Sequence, residues 1–229
     1  MDIDQRGDQL WLELPPVNQQ APRRLLVFLH ASGSSPEGFA PVAIAWQLKF
    51  PGAVAILMQG LRRFAQGCDW FDASAADGLA LDRIGSARDR VLQRIGQVQQ
   101  ALDISPDRTV LVGHAQGATL ALEMARSAPA PAPAGIIVSY SGRLARPVRE
   151  GDTFGATVHL IHGEFDSAVP SIHSSQAFRG MKAVGADVSL DIVGDEGHSI
   201  GQDLVNVGTT RVMQTLFRGR SPRPRRTLH

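Results

Sequence analysis

Leu25-Leu26-Val27-Phe28-Leu29 carries no polar residue at alternate positions, so a strand built from it has no face to turn toward water. Comparable apolar runs recur at Leu10–Leu14, Val54–Met58, Thr109–Val112, Gly135–Tyr140, Thr157–Ile161 and Val188–Val193. Longer amphipathic stretches separate them, at roughly Pro36–Lys49, Gly85–Leu102, Gln116–Ser127, Ile172–Ala183 and Gln202–Phe217. Short buried strands alternating with helices of this length are the signature of βαβ units. The predicted fold class is α/β, with a mostly parallel central sheet and helices on both faces. Proline breaks the pattern at Pro15-Pro16, in the Ala-Pro run of 128–134 and in the tail from Arg218. The run at 128–134 is too short to divide domains and reads as a helix-to-strand connection. The expectation is one domain over residues 1–217 and a basic, disordered tail over 218–229.

Composition removes several function classes. Of the 229 residues, 43% are hydrophobic, too many for a disordered chain, and no apolar stretch approaches the ~20 residues of a membrane helix. The formal charge is only +1, which argues against a nucleic-acid binder. Five of the 23 basic residues fall in 218–229, leaving 18 against 22 acidic groups in the preceding 217, a net −4. Cys68 is the only cysteine, so neither an intramolecular disulfide nor a thiolate metal cluster can form. Met1-Asp2-Ile3-Asp4-Gln5-Arg6 has the wrong charge order for a signal peptide, and a cytoplasmic location is expected.

In parallel sheets, sites lie beyond the carboxyl ends of the strands. The loops of interest are therefore 30–35, 59–84, 113–116, 141–155, 162–171 and 194–201. Val112-Gly113-His114-Ala115-Gln116-Gly117 leaves an apolar strand, turns sharply between two glycines and enters an Ala/Leu-rich helix. With Ser in place of Ala115 this would be the G-x-S-x-G nucleophile elbow. Its glycines leave room for a strained vertex packed between strand and helix, and the helix N-terminus would stabilise negative charge there. Downstream, Gly163-Glu164-Phe165-Asp166-Ser167-Ala168-Val169-Pro170 places an acid after one strand, and Gly197-His198 a histidine after the next. The chain order of elbow, acid and histidine is that of α/β-hydrolases. Upstream, His30-Ala31-Ser32-Gly33 occupies the place of their oxyanion loop. There the N–H of Ser32, with that of Gln116, would face a reacting carbonyl.

Taken together, L-H-A-S-G-S (29–34), W-F-D (70–72), G-H-A-Q-G (113–117), G-E-F-D-S-A-V-P (163–170) and G-H (197–198) resemble the phospholipase/carboxylesterase family. That family includes acyl-protein thioesterases and small bacterial carboxylesterases. The resemblance implies an α/β-hydrolase fold and a Ser-His-Asp esterase working without cofactor or metal on small-molecule esters or thioesters of short to medium acyl length. Asp166 would orient His198, with Ser32 and Gln116 as oxyanion donors. It also suggests a homodimer. Ala31 departs from the family's usual Gly, and Ala115 departs from its nucleophile.

Two readings of Ala115 follow. It is either the disabled form of a serine esterase or the mark of a natural protein that binds esters without cleaving them. Retention of Asp166, His198 and both elbow glycines favours the first.

The remaining candidates carry alternatives. Trp70 and Phe71 either line an acyl pocket or anchor their loop in the core, and Arg143 either reaches the pocket rim or caps a strand end. His30 and His114 are expected to pack beneath the site. His159 and His162, three apart on a strand, should face opposite ways and cannot share a metal. Cys68 reads as an incidental thiol. Leu61-Arg62-Arg63-Phe64 is either a cationic cap or a solvated loop.

Overall fold

A computed structural model describes residues 11–73, 80–126 and 132–218. The apolar runs form the strands Trp11–Leu14 (β1), Arg24–Leu29 (β2), Ala53–Met58 (β3), Thr109–His114 (β6), Ile136–Tyr140 (β7), Thr157–Gly163 (β8) and Val188–Val193 (β9). A short hairpin, Arg62–Phe64 (β4) and Gly67–Asp69 (β5), stands apart from them. The helices are Pro36–Lys49 (α1), Ala80–Leu102 (α2), Gln116–Ala125 (α3), Ile172–Ala183 (α4) and Gln202–Arg218 (α5).

The seven long strands pair in the order β1-β3-β2-β6-β7-β8-β9. Only β1 is antiparallel to its neighbour. In register, Val27 of β2 lies between Ile56 of β3 and Leu111 of β6. From β2 the chain builds outward first through β3 and then, in the other direction, from β6 to β9. The carboxyl ends of β2 and β6 therefore flank the point where the order reverses, which is where such sheets bind ligands.

Both faces are covered, as the unbroken apolar strands require. On one, Ile84, Ala87, Val91, Ile95 and Val98 of α2 pack with α3 and α4; on the other, Phe39, Ala43 and Trp46 of α1 pack with Leu204, Val205 and Val212 of α5. Phe28 meets Phe39 and Trp46 edge-on, with centroids 5.8 and 6.1 Å away. Among the described residues no helix is long and apolar enough to cross a membrane.

Two expectations change. α2 begins at Ala80 rather than at Gly85, because burial of Ile84 carries the helix through a glycine at which even an added Cβ would meet nothing. Loop 59–84 also contains the β4–β5 hairpin, so Cys68 lies in a strand rather than a loop. The tail 219–229, Leu10, Ser127 and 128–131 of the Ala-Pro run lie outside the described residues.

Candidate active site

The turn from β6 into α3 is fixed by steric demand. A Cβ at Gly113 would collide with the backbone of Ala118, and one at Gly117 with the carbonyl of Leu29. Between them Ala115 has φ +49° and ψ −106°, a left-handed conformation costly for an L-residue. It is held there by its own backbone. The N–H donates to the Tyr140 carbonyl (2.9 Å), and its carbonyl accepts the N–H of Thr119 (2.9 Å).

The loops after β8 and β9 are sewn together beside this vertex. The N–H groups of Glu164 and Phe165 donate to the carbonyls of Val193 and Glu196, each at 2.9 Å. Gly163 lies so close to Glu196 and Gly197 that no side chain fits. This brings His198 Nδ1 to 2.9 and 3.0 Å from the two oxygens of Asp166. Facing a carboxylate, Nδ1 carries the proton, which leaves the lone pair on Nε2. The Asp166 side chain is buried. Burial alone would raise its pKa, but the N–H of Val169 (2.8 Å), His198 and the Ser141 hydroxyl together outweigh it and hold the carboxyl at about 2.

Two histidines flank the pair. His114 Nε2 lies 2.9 Å from the carbonyl of His198, and the two rings pack at a 36° tilt with centroids 4.9 Å apart. Burial pulls its pKa down to about 4, so it is neutral and Nε2–H is the donor. His162 Nε2 faces the Val169 carbonyl (2.7 Å) and Asp166 Oδ2 (3.3 Å), while its Nδ1 meets the hydroxyl of Ser174 on α4. His159 turns the other way, to Ser189 and to Thr215 on α5, so the two cannot share a metal. Among the described residues no three His, Cys, Asp or Glu side chains form a group that could hold a metal ion.

After β2, the 30–34 loop is tied to β5 of the hairpin. Asp69, buried, accepts the Ser32 hydroxyl (2.6 Å) and the Gly33 N–H (3.0 Å). The Gln116 side chain accepts the Trp70 N–H (2.7 Å) and donates to the Phe71 carbonyl (3.0 Å). Neither role is apparent in the sequence, where the only hint is an acid inside the otherwise apolar Cys68-Asp69-Trp70-Phe71.

A cavity of about 530 Å³ opens at this junction, lined by Ala115, Ser32, Gln116, His198, Phe71 and Arg143 among others. Trp70 is not among its described walls, so of the two readings its placement matches the core anchor. The indole is buried, packs at a tilt against His30 and donates to the His30 carbonyl at 2.8 Å, because a buried indole N–H needs an acceptor. Arg62 of the hairpin pairs with Asp72 at 3.1 Å. Cys68 is buried and accepts a hydrogen bond from Gln59.

Known proteins share this architecture. Esterase PE8 superposes with a TM-score of 0.80 at 27% identity, covering 89% of this chain and 97% of its own. The carboxylesterase of Bacillus cereus superposes at 0.75 with 14% identity, covering 92% of this chain and 96% of its own. Esterase YpfH of Escherichia coli strain K12 is 27% identical over 184 residues, 78% of this chain and 77% of YpfH. Residues 17–210 match the phospholipase/carboxylesterase family model, and with the α/β-hydrolase sheet and the strand-end loops described above, the chain belongs to that family of carboxylic-ester hydrolases.

Proposed function

We propose that the cavity is the active site of a serine carboxylesterase in which position 115 belongs to the nucleophile, and that with Ala115 the chain binds esters without forming an acyl-enzyme. The observation that carries this reading is the His198–Asp166 pair, whose histidine lines the same cavity as a vertex held at φ +49°. A chain with no use for a nucleophile has no need of that strain.

With a serine at 115, Nε2 of His198 takes the hydroxyl proton as the oxygen attacks the ester carbonyl. Asp166 keeps the proton on Nδ1 and stabilises the imidazolium that forms. The N–H groups of Ser32 and Gln116 hold the tetrahedral oxyanion, each worth roughly 3 kcal/mol of barrier. Gln116 is the first residue of α3, where an N–H has no intrahelical acceptor. His198 then protonates the leaving alcohol, and water repeats the sequence on the acyl-enzyme. Short- to medium-acyl esters and thioesters fit a cavity of this size.

Ala115→Ser should therefore restore hydrolysis of p-nitrophenyl butyrate and labelling by a fluorophosphonate. Without it, only slow turnover by His198 acting on water is expected. A folded Ala115→Ser protein that neither hydrolyses nor labels would favour the second reading, a natural ester-binding protein. The observation on that side is Ala115 itself.

A further inference from the structure

The turn after β7 is pinned on both sides of Arg143. Ser141, another non-glycine residue at positive φ (+51°), donates its N–H to the Ile161 carbonyl at 3.0 Å, and its hydroxyl bonds to Asp166. Gly142 sits so tightly on Ala118 and Ser139 that a side chain there would collide with both. On the far side, the Ala145 N–H donates to Glu123 of α3 at 3.2 Å, and the Arg146 carbonyl accepts from Arg126 at 2.9 Å.

The side chain held out by this turn is itself uncommitted. Arg143 is exposed, lines the cavity, and has no ion-pair or hydrogen-bond partner among the described residues. The only other Asp, Glu, Lys or Arg among the described lining residues is Asp72, already paired with Arg62. The rest of the wall is neutral or imidazole: Phe71, Ile84, Leu144 and Val169, several alanines, His173 and His198. Among the described lining residues, an entering ester therefore meets one unneutralised fixed charge, and it is positive. A guanidinium in that position matches a carboxylate, which it can bind through two parallel N–H groups.

We infer that Arg143 is a specificity-determining residue, selecting carboxylic esters that carry a second, free carboxylate on either the acyl chain or the alcohol. The inference rests on the cavity being an ester site, but not on its being catalytic. The Ala115 chain, which leaves an ester intact, is the natural protein for the binding test.

Calorimetric titration would compare monomethyl glutarate with its neutral analogue, dimethyl glutarate. The expected result is about five- to tenfold tighter binding of the monoester, weakening as salt is raised and lost in Arg143→Gln. Equal binding of the two, binding of neither, or a preference that survives Arg143→Gln would overturn the inference. In the Ala115→Ser background, the ratio of kcat/KM for p-nitrophenyl hemiglutarate over p-nitrophenyl butyrate reads an acyl-side carboxylate. The corresponding ratio for butyryloxyacetic acid over methyl butyrate reads an alcohol-side one. At least one ratio should exceed unity and fall toward one in Arg143→Gln; two ratios indifferent to that change count against Arg143. If Ala115→Ser is inert while binding still depends on Arg143, the esterase reading fails and this one stands.

Discussion

On the proposed reading Ala115 stands one oxygen short of a nucleophile, and its neighbours are arranged around that position. His114 shows this best, since its place next to the vertex brings it under His198 rather than into the cavity. Burial keeps its imidazole neutral at any pH well above about 4, so Nε2–H donates to the His198 carbonyl while the tilted rings touch. On the proposed reading it is a positioning residue, holding the backbone and ring of the histidine it supports. In the Ala115→Ser background, His114→Phe should keep the ring contact and lose the donor. The expected outcome is a kcat lower by about tenfold with KM little changed, and a stability loss of about 1 kcal/mol. A merely structural role would lower stability and leave the kcat of the folded fraction intact, which steady-state kinetics at several temperatures would reveal.

At the scale of elements, the wall of the cavity depends on a buried ion network at the end of α3. Arg126, in the C-cap position, lies 3.6 Å from Glu123 and 3.9 Å from Asp152, and its guanidinium packs 5.9 Å from the Phe154 ring. Asp152 is gripped in turn by Arg146 through two 2.8 Å bonds. Removing Arg126 takes the buried cation from between Glu123 and Asp152, which leaves Asp152 only Arg146. Arg126→Met should cost about 3 kcal/mol in urea denaturation, and an unchanged midpoint would show that the network adds nothing. The link between its halves was not legible in the sequence, because Glu123 and Arg126 belong to α3 and its cap while Arg146 and Asp152 come from the loop after β7. What was legible follows from local physics. The seven apolar runs became the seven strands of the sheet, since a strand such as Leu25–Leu29 can be satisfied only by cover on both faces. The elbow glycines were legible because only glycine fits where Leu29 and Ala118 press in. The β4–β5 hairpin was not, for its three-residue strands expose Arg62, Arg63 and Phe64 and are held by backbone bonds to the distant Gly33 and Ser34. Nor does the sequence decide between pocket wall and core anchor for Trp70, since the acceptor that draws its indole inward belongs to the distant His30.

The molecule as a whole buries imidazoles in their neutral form, and this sets its response to acid. Burial, reinforced by Arg211 and Arg218, lowers His159 from 6.5 to about 4; burial does the same to His114, and it lowers His30 and His162 in the same direction. As pH falls through 6.5 the unfolded chain takes up protons that the folded chain refuses, so stability is fully present above 6.5 and declines until about pH 4. For His159 alone the difference amounts to roughly 3 kcal/mol, a large share of the ~5–15 kcal/mol that holds a typical domain. Asp166 acts in the same sense but later, because its carboxylate stays charged until about pH 2. Urea midpoints at pH 7, 5.5 and 4 should therefore fall steadily. His159 sits on β8 beneath α5, bonded to Ser189 and Thr215 and away from the cavity, so His159→Gln isolates its share. That variant should begin less stable at pH 7 and lose about 3 kcal/mol less on the way to pH 4. A flat profile in the parent chain, or an equally steep one in His159→Gln, would mean that the buried imidazoles do not govern its acid stability.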